Sequence, residues 1–143
     1  MKLGPVRDRL RERGFRHVHG ALELAGLDKA PGQLPCLFVL PLEETASPNA
    51  LAGAHDQALV RTIGVVLALR GAQLNDERLS DELAETEAKA IAALAGWTHP
   101  EASRPCSYLG GGLLFADRSI FLWLLRFTTA RHIRTPTTQR KAT

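Results

Sequence analysis

The chain has 143 residues, enough for one hydrophobic core and short for two. With 45% apolar and 23% charged residues, it is too rich in hydrophobes for a wholly disordered polymer. Its longest nearly apolar runs, Ile63 to Leu69 and Ile120 to Leu125, fall far short of the roughly 18 residues a membrane-spanning helix needs. The net charge is only +3, but the signs are separated along the chain. Between Asp76 and Glu101 there are seven acids against Arg78 and Lys89, whereas from Arg126 onward there are five bases and no acid. The first 20 residues carry Lys2, Arg7, Arg9, Arg11, Arg13 and Arg16 with no apolar stretch behind them, unlike a secretory leader.

Leu3, Val6 and Leu10 recur at helical spacing, and Gly14 is placed to stop a short amphipathic helix. Phe15 to His19 suits a short strand, and Ala21 to Leu27 reads as one or two helical turns ending at Gly26. Pro35 to Pro41 is a compact apolar run bounded by prolines, the pattern of a buried strand whose ends alone tolerate proline. Leu42 to Gly53, with Glu43, Glu44, Ser47, Pro48 and Asn49, favours an irregular loop.

Gln57 to Arg70 is a strand with Leu59, Ile63, Val65, Leu67 and Leu69 on one face and Val60, Thr62, Val66 and Ala68 on the other. Both faces need cover, and a chain this short has few helices to supply it, so a partner subunit is expected over one of them. Glu77 to Ala95 is the strongest helix, with Leu79, Leu83, Ala90, Ile91 and Leu94 in one stripe and Gly96 as its stop. Ser107 to Phe115 and Ser119 to Thr129 form a long hairpin turning at Ala116, Asp117 and Arg118. Phe121, Trp123, Leu125 and Phe127 share one face of its second strand and are expected at the centre of the core. Residues 135–143 read as a basic, flexible tail after a single domain over 1–134. The order predicts an α+β domain: a mainly antiparallel sheet with a long C-terminal hairpin, packed against two or three helices.

Chemistry-bearing patterns are weak. His17 and His19 would share a strand face but have no third ligand nearby, and His55 with Asp56 supplies none by spacing, so no bound metal is expected. Cys36 and Cys106 are not in a CxxC pair and read as buried thiols. Gly110-Gly111-Gly112 lacks the Lys and Ser or Thr of a phosphate-binding loop and precedes apolar strand residues, which points to a bulge or a close backbone approach. No nucleophile elbow surrounds Ser107, Cys106 or Cys36, and no cofactor is implied.

Across most of the chain, however, the order of features resembles the phage tail terminator family. The residues that carry this are the opening helix with Val6 and Leu10, the Pro35 to Pro41 strand, and Ser47-Pro48-Asn49 followed by Gly53 and Gln57. They continue with Ile63-Gly64-Val65-Val66-Leu67, Leu94-Ala95-Gly96-Trp97, Leu109-Gly110-Gly111, and Trp123 with Phe127. The resemblance spans Val6 to Arg134.

It implies a non-catalytic structural protein of the virion tail, assembled in the host cytoplasm and seated in the neck region. It also implies a homo-oligomeric, hexameric ring that caps the tail tube protein and stops its polymerisation. The other side of the ring would dock the head-side connector or stopper protein, with DNA met only in passage and no membrane involved. Separated acidic and basic regions suit a ring that closes through two different patches. Pro48, Asn49, Arg131 and Arg134 are candidate contacts to neighbouring subunits or rings, and Glu82, Glu85 and Glu87 are candidate acids lining the passage. Three alternatives remain open on the residues. One is another head-tail joining or neck protein; the second is a small basic DNA-binding module using Arg7, Arg9, Arg11, Arg13, Arg131 and Arg134; the third is a hydrolase using Cys106 or a histidine.

Overall fold

A computed structural model describes residues 1–27, 32–49, 52, 54–71 and 75–136. The elements run α1 (Gly4–Glu12), β1 (Val18–Gly20), α2 (Ala21–Ala25), β2 (Cys36–Ala46), β3 (Ala54–Arg70), α3 (Asp76–Leu94), β4 (Ser107–Ala116) and β5 (Ile120–Pro136). The five strands make one open sheet in the order β1-β2-β3-β5-β4. Only the β1–β2 pair is parallel; the other three pairings are antiparallel. This is the expected α+β architecture, with the C-terminal hairpin at one edge.

The sheet buries two apolar layers. On one face, α1 and α3 cover Leu37, Val39, Ile63, Val65, Leu67, Leu125 and Phe127, and contribute Val6, Leu10, Ala90, Ala93 and Leu94. On the other, Cys36, Phe38, Val66, Ala68, Ile120, Leu122 and Leu124 pack with Leu24, Leu27, Leu34 and Leu40. From Ile63 to Leu69 every residue of β3 is buried, because alternate side chains enter opposite layers. Asn75 caps α3 by accepting the Arg78 N–H at 2.8 Å, which satisfies one of the free donors of the first turn.

Four details differ from the sequence reading. β1 begins at Val18, not Phe15: the Phe15 N–H bonds the Leu10 carbonyl at 3.1 Å, and its buried ring joins the helix-covered core. β2 continues to Ala46, through the first part of the segment expected to be a loop. A register shift between Pro41 and Glu43 resets the alternation there, and Glu44 pairs with Arg61 of β3 at 3.3 Å. Because β1 covers only Leu37 to Val39, Pro41 and the two glutamates lie on an edge, where an absent donor and charges are tolerated. β5 runs on to Pro136, its last residues paired with the start of β3; residues 50, 51 and 53 of the expected loop and 137–143 of the expected tail lie outside the described residues.

The fourth difference is in the core. Leu125 and Phe127 are fully buried, while Phe121 and Trp123 are half-buried, their rings stacked at 6.3 Å between centroids, with Trp123 packed at the margin of the helix-covered core. In α3 the buried positions are Thr86, Ala90, Ala93 and Leu94; the small alanines let the helix sit close to the sheet. Phe127→Ala is expected to destabilise the fold by about 3–5 kcal/mol, and Phe115→Ala, at an exposed position, by less than about 1 kcal/mol. Chemical denaturation midpoints of the two variants compare them directly.

Candidate assembly surface

The two edges of the sheet are unlike. The β1 side ends in a three-residue strand, and the outer edge of β2 beyond it carries Pro41, Glu43 and Glu44. The β4 edge has ten residues, Ser107 to Ala116, with no charge and no proline. Its large apolar side chains point into solvent: Leu109 is 56% exposed, Leu113 59%, Leu114 48% and Phe115 49%. An edge this apolar and lacking charged guards is the kind that proteins cover.

β4 is also irregular. Its register against β5 shifts between Tyr108 and Gly110 and again between Leu113 and Phe115, so Leu109 and Leu114 are extra residues, and Gly110 takes a positive φ of 143°. The three glycines therefore occupy a bulged strand, as their context in the sequence suggested. Gly111 is required by close approach: a Cβ there would lie 2.7 Å from the Trp123 indole nitrogen and 2.9 Å from the Tyr108 hydroxyl. The indole N–H donates to Glu87 Oε2 at 2.9 Å, so the glycine leaves room for a helix-to-sheet brace. On the opposite face, Gly110 and Gly112 stand beside Arg126 and Leu124 and leave a trough of about 350 Å³ walled by Leu109 and Leu114. Gly111→Val is expected to destabilise the fold by about 1–3 kcal/mol through this clash. Gly112→Ala, whose added carbon meets no heavy atom within 4 Å, is expected to leave the thermal midpoint nearly unchanged.

β3 and β5 outrun their neighbours. β4 stops opposite Thr128 and β2 opposite Leu59, so Ala54 to Ala58 and His132 to Pro136 form a two-stranded arm. The structure brings two expected contact residues together here. Asn49 accepts the Asp56 N–H at 2.8 Å and donates to the Ala54 carbonyl at 3.2 Å, while Arg134 donates to Asp56 at 3.3 Å. His132 Nδ1 lies 3.1 Å from the same carboxylate. Pro48 is exposed beside Asn49, and Arg131 is half-buried opposite Leu59, on the other face of the arm from Asp56. Burial opposes ionisation of Asp56, but hydrogen bonds and charge from His132 and Arg134 outweigh it and hold its carboxyl below the ordinary value.

A lowered carboxyl pKa stabilises the fold above the unfolded value of about 4, and that contribution is lost as pH falls through the folded pKa. The stability gap between wild type and Asp56→Asn should therefore be constant at neutral pH and shrink below about pH 4, as read by denaturation at a series of pH values.

The three candidate passage acids do not share a face. At 100° per residue, Glu82 and Glu85 lie on one flank of the buried stripe of α3, lining a groove with Phe15, Arg16, His17 and Lys89. Glu87 lies on the opposite flank, engaged with Trp123. The basic residues of α1 are partly committed too: Arg9 donates to the Ala93 carbonyl at 2.8 Å, and Arg11 to the Val18 carbonyl at 2.8 Å and to Asp8 at 3.2 Å.

Among the described residues, no group of three or more His, Cys, Asp and Glu side chains is arranged to hold a metal ion. Burial pushes the Cys36 thiol up to about 11 and raises Cys106 as well, against an opposing hydrogen bond with Thr129. Both are thus less nucleophilic than free thiols. A residue the sequence did not single out is His99, which lies fully buried in the linker before β4. Its Nδ1 accepts the Glu101 N–H at 2.9 Å and its Nε2 bonds the Lys2 carbonyl at 2.6 Å. It ties the N-terminus to the linker, and a lone histidine beside proline gave no pattern to find it by.

An open sheet with one uncharged apolar edge and a projecting two-stranded arm defines a building block with surfaces for contact with other proteins. The phage tail terminator protein family matches residues 1–139, and the chain belongs to it. It is on that ground a structural component of the phage tail, of a non-enzymatic family. No curated protein matches the chain.

Proposed function

We propose that this protein closes into a ring on the end of the tail tube, stops addition of further tube subunits and offers its other side to the head-side connector or stopper protein. The observation that carries the reading is the unguarded β4 edge on a sheet whose opposite edge is guarded. A single patch that needs covering, with no equivalent on the other side, suits head-to-tail contacts that close into a ring. The copy number of six follows the family resemblance. Within this reading, the arm with Pro48, Asn49, Arg131 and Arg134 reaches a neighbouring subunit or ring, and the exposed flank of α3 with Glu82 and Glu85 faces the passage, where it repels the DNA backbone. Glu87 serves as the brace to Trp123. Another neck protein would share these features; a DNA-binding module is less well supported, because Arg9, Arg11 and Arg134 are already held by groups of the same chain.

Light scattering across concentration, with negative-stain imaging, should show a closed ring of about six copies, in solution or on purified tail tubes. Leu113→Lys with Leu114→Lys should abolish it without unfolding the subunit, since both side chains are exposed. Protein that neither closes into rings nor caps tubes would reject the proposal. Glu82→Lys with Glu85→Lys should leave tails assembled and impair DNA delivery; normal infectivity would remove these acids from the passage.

A further inference from the structure

Resting on the ring reading, we propose that the β4 trough receives the outward face of α3 from a second copy of this chain, with Arg126 pairing to that copy's Asp81. Arg126 stands exposed beside the trough and has no ion-pair partner among the described residues. It is surrounded by Leu109, Leu114 and Leu124, so whatever covers this surface must bring a carboxylate next to small or apolar groups. The geometry of β4 argues against another strand as that cover. Two extra residues interrupt its pairing with β5 and Gly110 has a positive φ, and a strand bulged in this way disfavours continuous pairing across copies.

A helix packed through its side chains has no such requirement. The outward face of α3 carries Glu77, Asp81, Ala84 and Ala88, all exposed, on the side of the helix away from Ala90 and Leu94. The alanines allow close approach over the leucines of β4, and Asp81 supplies the charge complementary to Arg126. α3 covers one face of the sheet and the trough opens on the other, so the two patches cannot meet within one chain. Each copy presents one of each, and the contact is heterologous, as a closed ring requires.

Charge reversal tests the contact. Arg126→Glu and Asp81→Arg should each raise the concentration needed for ring formation about tenfold or more, and the double variant should recover most of that loss, as expected for a directly coupled pair. Unchanged thermal midpoints would show that the subunits still fold. As an independent readout, oxidation of protein carrying both Leu114→Cys and Ala88→Cys should give a ladder of covalently linked copies, whereas either cysteine alone gives none. Wild-type rings that tolerate both reversals and yield no ladder would overturn this contact and leave the ring reading standing. Efficient dimers from Leu114→Cys alone would replace it with β4 against β4. Variants that ring normally but no longer cap tubes would show that the trough faces the tube, overturning the assignment. Wild type that forms no ring in solution or on tubes would defeat the ring reading and this contact together.

Discussion

Everything in this fold depends on β3 being covered on both faces and paired along both edges. Its buried stretch from Ile63 to Leu69 sends alternate side chains into two separate apolar layers, and β2 and β5 pair with it on either side. Each layer must then be closed by something other than β3. On one face α1 and α3 do this; on the other, α2 and its flanking leucines close only the part near the start of β2, and Leu42 and Leu124 lie over Gly64 near the margin. The remainder of that face runs out to the trough of β4. The incomplete cover is thus a consequence of how few helices a short chain can place around a central strand that is apolar on both sides.

The same imbalance explains why the edges of the sheet differ. Where β2 loses its neighbour, the chain introduces a proline, a register shift and two glutamates, each of which keeps other strands away. Where β4 loses its neighbour, it introduces glycines and leucines, which keep the surface accessible and apolar. The irregularity of β4 removes strand pairing while leaving side-chain packing available. An edge of this kind discriminates between modes of contact and favours one over simple aggregation.

Much of this was readable in the residues. The strands, the capped acidic helix, the C-terminal hairpin and the apolar character of both faces of β3 all carried strong periodicity, and periodicity reports burial directly. The extension of β2 to Ala46 was not readable, because Glu43, Glu44 and Pro41 look like loop residues unless one knows that they sit on an edge. The extension of β5 to Pro136 was hidden likewise: His132 and Arg134 are exposed and Arg131 only half-buried, so this stretch lacks the apolar alternation of a covered strand. Phe121 and Trp123 share the alternation of Leu125 and Phe127, but alternation along a strand does not tell where the covering helices end. Of the candidate contact residues, Asn49 meets Asp56 from seven positions away, but Arg134 reaches the same residue from 78 positions away, which no local pattern encodes, and the division of Glu82 and Glu85 from Glu87 follows from helix phase alone.

β3 finds β2 through a local antiparallel pairing, but its other edge waits for β5, which follows α3 and β4 in the chain and pairs Ala54 with Pro136 at the far end. Contacts of such long sequence separation form slowly, because the intervening chain must first be ordered. During synthesis the most apolar strand of the protein therefore has one bare edge until β5 has emerged. Pairing of β5 is therefore the step that separates a completed sheet from an aggregation-prone intermediate.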